Sequence, residues 1–358
     1  MVLVLNAGSS SLKYALFDGL EVVQKGVYEE VKSHHEVLHV LLEKLQNTEF
    51  TCIAHRVVHG GEEFVQTTLI TDEVVEKLKK LIPLAPLHNP ANIEPMEYFL
   101  LHHRKIPQVA VFDTAFHATL PKKASTYAIP KEISQQYNIK KYGFHGISYS
   151  YITKKMAEVL DKPKQRLNLI VAHLGNGSSV CAIENGKSVD TSMGFTPLQG
   201  LVMGTRSGDV DAGVLLFLQE YAKFDTKELG NMLYKQSGLK GLCGKSDMRE
   251  ILQANTKEEK EALQSYIYRV QKYIASYLGV VPKIDGIVFC GGIGEHSSLI
   301  RKEVLNNLAH LGLVVDEKRN EANEMLISAE NSNIKVFVVA TDEEREIARC
   351  AYELLSPL

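Results

Sequence analysis

The chain has 358 residues, 45% of them apolar, a formal net charge of −3 and five cysteines without a CxxC pair. That length suits two domains of ordinary size. The near-neutral balance gives no electrostatic case for nucleic acid, and no apolar run approaches the ~20 residues that span a bilayer. The irregularly spaced thiols (Cys52, Cys181, Cys243, Cys290, Cys350) read as reduced and buried. The N-terminus carries no basic leader. The expectation is therefore a cytoplasmic protein with neither a membrane nor a nucleic-acid partner.

Val2-Leu3-Val4-Leu5 reads as a buried strand, Asn6 to Ser11 as a turn of small residues, and Tyr14 to Phe17 as a second short strand. One glycine, three serines and Lys13 at that turn suit an anion-binding concavity with a polyphosphate as natural ligand; a plain hairpin with a polar tip fits the same residues. His34 to Leu45 has helical spacing. Ile53 to Gly61 reads as a strand carrying His55, Arg56 and His59. Thr71 to Ile82 is an amphipathic helix capped by its threonine. Residues 83–90, with Leu87 and His88, form a proline-stiffened loop before a helix from Ala91 to His103. The strand Val109 to Phe112 stops at Asp113, a position where sites gather in α/β sheets. His145 is flanked by glycines ahead of a helix from Ser148 to Leu160.

The strand–turn–strand pattern recurs at Leu169 to Leu174, Gly175 to Ser179 and Val180 to Ile183, which suggests two related halves. A glycine-bearing loop over 191–209 places Arg206 among small neighbours, where a guanidinium can reach a ligand uncrowded. Helices fill much of 212–279, with a loop-like stretch from Gly238 to Met248. Ile284 to Cys290 reads as a strand ending in a turn at Gly291 to Gly294, followed by a helix from Leu299 to Leu311. Val336 to Ala340 is the last strand. Thr341 and Glu344 have capping-box spacing at the start of the closing helix, which leaves Glu343 for another role. The alternation of strands and helices argues an α/β architecture with mixed sheets.

Gly241 to Ser246 ends like a phosphate-binding loop, but position 239 is Leu where the motif needs Gly. Gly292-Ile293-Gly294 lacks the third glycine of a dinucleotide fingerprint, and neither a paired-histidine zinc motif nor a GxSxG elbow is present. What remains are three Gly-rich turns after apolar strands. Around them lie Arg56, His88, Asp113, His145, His173, Arg206 and Glu343. Such a set matches phosphoryl transfer, which needs charge neutralised on the equatorial oxygens and metal held by carboxylates. His55, His59 and His117 read as structural.

NAGSSSLK, HRVVHGG, PLAPLHNP, VFDTAFH, YGFHGISY, AHLGNGSS, GFTPLQGLVMGTRSGDVD, SDMRE, GGIGEH and TDEE run collinearly from residue 6 to 344. In these motifs the chain resembles the acetokinase family, within the sugar kinase/actin/heat-shock ATPase superfamily. The resemblance implies a two-domain actin-like ATPase with a duplicated ribonuclease H-like core and a site in the interdomain cleft. It implies domains at 1–116 plus 342–358 and at 117–341, ATP as co-substrate, Mg²⁺ (or Mn²⁺) as cofactor, acetate as phosphoryl acceptor, and a homodimer. Carried over by motif, Arg56 and Arg206 grip the carboxylate and the transferring phosphoryl group, His145 stabilises its charge, and Asp113 is the essential acid. Asn6 and Glu343 support the metal. Val58, Leu87, Phe144 and Pro197 form the acyl pocket. Lys13, His173, Leu174, Gly175, Asn176, Gly177, Asp247, Met248, Arg249, Gly292, Ile293, Gly294, Glu295 and His296 line the ATP site. The chain departs from the family pattern in being short between Lys13 and Arg56 and one residue short before Asp247. It also carries His296 and Asp342 where the family usually has Asn. An acetate carboxylate is already ionised at neutral pH. Asp113 is therefore read as an orienter rather than a base.

Overall fold

The computed structural model describes residues 1–46, 48–254 and 256–356. The chain divides into two compact units, Met1–Ala118 with Phe144–Tyr151 and Asp342–Leu358, and Thr119–Gly143 with Ile152–Thr341. Each is built on one mixed sheet flanked by helices.

In the first unit, β1 (Val2–Gly8), β2 (Ser11–Asp18) and β3 (Glu21–Glu29) form an antiparallel meander. β4 (Cys52–Val57) then joins β1 in parallel. The two-residue β5 (Thr68–Leu69) forms the far edge, antiparallel to β6 (Gln108–Phe112), which is parallel to β4. The order is β3-β2-β1-β4-β6-β5. In the second unit β7 (Leu169–Leu174), β8 (Ser178–Glu184) and β9 (Lys187–Thr191) make the meander, with β10 (Gly286–Cys290) parallel to β7 and β11 (Val336–Val338) parallel to β10. Read from the meander edge, both sheets begin third-second-first-fourth; the first then adds β6 and β5, the second β11. This is the duplication that the two Gly/Ser hairpins suggest.

Alternation decides which face each strand buries. On one side of the first sheet Leu3, Leu5, Leu12, Leu16 and Ile53 pack under Leu38 and Leu41 of the helix His34–Lys44. On the other, Val2, Val4, Ala15, Phe17 and Ala54 meet Ile347, Ala348 and Ala351 of the closing helix Glu343–Leu355. In the second unit β7, buried but for His173, and the fully buried β10 pack against Tyr266, Val270 and Ile274 of the helix Lys257–Leu278, which opens on a capping box of Thr256 and Glu259.

Several boundaries differ from the sequence reading, each for a local reason. Pairing of β1 with β2 runs on through Gly8↔Ser11, so the turn is only Ser9-Ser10. β3 and β9 went unread because they are short of buried apolar positions. The stretch read as a loop from Gly238 contains a helix, Gly238–Cys243. Gly291–His296, read as a turn, is helical too. The proline-rich segment holds a 3-10 turn at Ile82–Leu84, and the next helix begins at Asn89 with Pro90 in its first turn. That placement suits proline, whose missing N–H has no helical partner there. β4 ends at Val57, so Val58 lies one residue beyond it. The cap of the closing helix is Asp342, whose Oδ1 accepts from Arg345 N at 3.0 Å. The Thr341/Glu344 capping box is therefore not the cap, and Glu344 stands in the first turn.

Candidate active site

Two constellations, one in each unit, carry the residues singled out from the sequence. In the first unit Arg56, near the end of β4, meets Asp113, the residue after β6. Because β4 and β6 are parallel and adjacent, two strand ends suffice to bring the side chains together. Arg56 Nε donates to Asp113 Oδ1 at 3.2 Å and Nη2 to Oδ2 at 2.7 Å, a bidentate fork that fixes the guanidinium plane. Glu343 Oε2 lies 3.5 Å from Arg56 Nη1. Asp113 is buried, and that burial pushes its carboxyl up to about 6, against the pull of Arg56 and with a further push from Glu343. Burial alone would lower the Arg56 pKa, but the two carboxylates outweigh it and hold the group firmly cationic.

His145 belongs to the same unit. Its φ of +57° is unusual for a side chain with a Cβ. The next residue explains how the turn is held: Gly146 N donates to Asp113 O at 2.8 Å, and a Cβ on Gly146 would collide with that carbonyl. His117 Nε2 donates to Phe144 O at 2.9 Å. His145 and the buried Phe144 are thus anchored to the Asp113 segment by the Gly146 main chain and the His117 side chain. His59 stacks edge-on to Phe144 with ring centroids 5.5 Å apart, and His55 bonds Gln108 at 2.8 Å; both are interior braces. Val58 is half-buried and Leu87 exposed. Asn6 faces Lys13 across the β1–β2 ladder, with Lys13 exposed to solvent. His88 lies at the N-terminal cap of the helix Asn89–His102.

In the second unit a pocket of about 540 Å³ is lined by Gly175, Asn176, Ser246, Asp247, Met248, Arg249, Leu252, Gly292, Ile293, His296 and Ser297. Eight of these were expected at the nucleotide; Ser246, Leu252 and Ser297 are additional. The pocket draws on the β7–β8 turn, the start of the helix Met248–Gln253 and the helix Gly291–His296. It has a glycine-bearing rim, an apolar wall and one charged pair, a mix that suits a purine nucleotide. Asp247 and Arg249 form a bidentate pair at 2.6 and 3.0 Å. That pair, with Asp247's cap bond to Arg249 N, brings the Asp247 carboxyl down to about 2.

Lys13, His173, Leu174, Gly177, Gly294 and Glu295 are not among the lining residues. Leu174 and Gly294 are buried, and His173 Nδ1 lies 3.8 Å from Cys290 Sγ. Glu295 Oε1 accepts from Gly291 N and Thr341 N, bracing the pocket from within.

Arg206 has a different environment from Arg56. Its Nη1 donates to Pro197 O at 3.0 Å and approaches Met203 Sδ at 3.9 Å. Among the described residues no carboxylate pairs with it. Desolvation pulls its pKa down, though not far enough to discharge a guanidinium at neutral pH. The helix that the sequence reading missed holds this loop: Leu239 N and Lys240 N donate to Met203 O and Gly204 O. Gly238, at φ +64°, lies so close to the Met203 and Arg206 carbonyls that a side chain would not fit.

Asn6 and Glu343 offer an amide oxygen and a carboxylate, both hard donors. Among the described residues no three His, Cys, Asp or Glu side chains cluster as an all-protein metal cage would. Two such donors fit Mg²⁺, which characteristically takes its remaining positions from water and substrate phosphates.

The family model described as "Acetokinase family" matches residues 24–349. An acetate kinase of Sulfurimonas denitrificans is 44% identical, with 99% of each chain covered. Among solved structures, a propionate kinase from Francisella tularensis superposes with a TM-score of 0.94 at 41% identity, covering 98% of both chains. The Porphyromonas gingivalis acetate kinase does so with 0.92 at 37% identity, covering 99% of both.

Proposed function

The chain belongs to the acetokinase family, and from that premise we propose that it catalyses reversible, Mg²⁺-dependent phosphoryl transfer from ATP to acetate, giving acetyl phosphate and ADP. The observation that carries the reading is Arg206, a desolvated cation whose protein contacts are a carbonyl and a thioether. A half-buried cation with no carboxylate beside it among the described residues favours an anionic ligand, and a transferring phosphoryl group supplies one.

The roles follow from chemistry. Acetate is ionised at neutral pH, so no proton has to be removed before attack. Arg56 binds the carboxylate, and Asp113 holds the guanidinium plane. Phosphoryl transfer leaves charge on three equatorial oxygens, with little covalent work for the protein; Arg206 and His145 neutralise that charge. The pocket of the second unit takes the nucleotide. Asn6 and Glu343 would hold Mg²⁺, which when bound neutralises phosphate charge. Val58, Leu87 and Phe144 of the first unit bound the acyl end.

One observation favours a second reading, propionate as acceptor: a structural neighbour at 41% identity bears that name. A hydroxylamine trap distinguishes the two. Protein, ATP and Mg²⁺ incubated with acetate, propionate or butyrate should give acyl hydroxamate most efficiently with acetate. A larger kcat/KM with propionate selects the second reading, and ATP hydrolysis without hydroxamate rejects both.

We further propose a cytoplasmic homodimer. No helix among the described residues is long and apolar enough to cross a membrane, and all five cysteines are free. The helix Ala212–Glu220 exposes Val214, Leu216 and Phe217, with Tyr221 beside them; the Phe217 and Tyr221 rings are 5.0 Å apart. A second copy would cover such a face. Light scattering should give twice the chain mass, and Leu216→Glu with Phe217→Glu should return it to one.

A further inference from the structure

β1 and β4 are laddered in parallel only from Val2↔Cys52 to Leu5↔His55. Beyond that point β1 continues through Asn6, Ala7 and Gly8, and the other chain through Arg56, Val57 and Val58. A side chain stands in the gap. Asn92 is 3% exposed, its Nδ2 donates to Ala7 O at 2.7 Å, and its Oδ1 accepts from Val58 N at 2.9 Å. A carbonyl can only accept and an N–H can only donate, so this orientation of the amide is dictated by its partners. One side-chain amide thus takes the place of a ladder rung: C=O of one strand, amide, N–H of the other.

We propose that Asn92 is a positioning residue that splays β1 and β4 by the width of one amide, and thereby sets the depth of the acyl pocket at Val58. The inference rests on the acyl-kinase reading above. Ala7 follows Asn6, the expected metal-side donor, and Val58 is two residues past Arg56. The wedge therefore fixes the separation between the phosphate-side strand and the carboxylate-side strand. One turn earlier, Asn89 seizes the next residue from both sides: its Oδ1 accepts from His59 N at 3.2 Å and its Nδ2 donates to His59 O at 3.1 Å. Positions i and i+3 share a helix face, so Asn89 and Asn92 together hold residues 58–59 in register with β1. The helix that presents them starts at Asn89 with Pro90 in its first turn, which pre-organises it.

The test compares Asn92→Ala, Asn92→Asp and Val58→Ala, with the double variant Asn92→Ala/Val58→Ala. Acyl phosphate is trapped as hydroxamate, and folding is followed by thermal melts. Asn92→Asp keeps the acceptor for Val58 N and loses the donor to Ala7 O. A displacement of about 1 Å can cost ~10²-fold in rate. The expected result for Asn92→Ala is therefore an acetate KM raised about 10-fold or more and an acetate/propionate ratio of kcat/KM changed at least about 5-fold. KM for ATP should stay within about twofold, because the nucleotide pocket is built wholly from the second unit. Asn92→Asp should fall between. In the double variant the two selectivity changes should not multiply, since one residue acts through the other. The proposal is overturned if Asn92→Ala lowers the melting temperature with selectivity unchanged, if KM for ATP rises as much as KM for acetate, or if the two selectivity changes multiply. Absence of acyl phosphate from the unaltered protein overturns the functional reading, and this inference with it.

Discussion

Replacing Asp113 by Asn tests the core of the first constellation. The amide keeps the volume of the carboxylate but removes its charge, and turns one of the two acceptors into a donor aimed at a guanidinium. Removing one partner of a buried ion pair typically costs ~3–5 kcal/mol. Arg56 is 19% exposed and has Glu343 at 3.5 Å as an alternative partner, so the lower end applies. Relief of the carboxylate's own burial, which holds its pKa up at about 6, offsets that cost, so the melting temperature should shift by no more than a few degrees. The released guanidinium would swing toward Glu343, and a shift of about 1 Å should cost ~10²-fold in kcat/KM for acetate, with KM for ATP nearly unchanged. The pH profile adds a second readout. With its carboxyl at about 6, Asp113 takes up a proton as pH falls through that value and Arg56 loses its fork. The unaltered protein should therefore show an acid limb in kcat/KM for acetate near pH 6, and Asp113→Asn should lack that limb. The sign for stability is opposite. The folded pKa lies above the ordinary carboxyl value, so the folded chain binds the proton more tightly than the unfolded one, and this group's contribution improves as pH falls from about 6 to about 4. Activity should thus fail where this group does not unfold the protein. An Asp113→Asn variant with near-normal acetate kinetics would refute the orienting role, and so would one that retains the acid limb.

Arg206→Ala should lower kcat ~10²–10³-fold while nucleotide binding, measured by calorimetry, stays close to normal; loss of binding with kcat preserved would move Arg206 to the nucleotide. Glu343→Gln should raise the Mg²⁺ concentration for half-maximal rate at least ~10-fold. Asp342→Ala should cost about 1 kcal/mol of stability with Mg²⁺ dependence unchanged, since Asp342 caps the closing helix. Val58→Ala should shift the acetate/propionate ratio of kcat/KM toward propionate by the worth of about one methylene, ~1–3 kcal/mol, read in the hydroxamate assay.

The parts of the chain that were legible in its sequence share one property: a buried strand that stops at a polar residue. Cys52–Val57 and Gln108–Phe112 are almost wholly buried, so Arg56 and Asp113 at their ends stood out as charged residues that burial could not explain. The repeated hairpin announced the duplicated sheet order for the same reason. What escaped lacked that contrast. β3 exposes most of its residues, and β9 is only partly buried. Two of the six residues of the helix at Gly238 are glycines, and three of the six in Gly291–His296 are; packing against the neighbouring loop or strand overrides their poor helix propensity. Spacing to Glu344 pointed to Thr341 as the cap of the closing helix, whereas the cap is the next residue, Asp342. Asn89 reads as part of a proline-stiffened loop and Asn92 as an ordinary residue of the helix that follows. Their bonds to Ala7, Val58 and His59 depend on sheet geometry that no local pattern encodes.

The central claim is that this chain moves a phosphoryl group between a nucleotide and a carboxylate, and the reverse direction tests it most directly. Protein supplied with ADP, Mg²⁺ and acetyl phosphate should generate ATP, followed by luciferase, in equimolar amount to the acetate released. Release of acetate and inorganic phosphate without ATP would contradict the account.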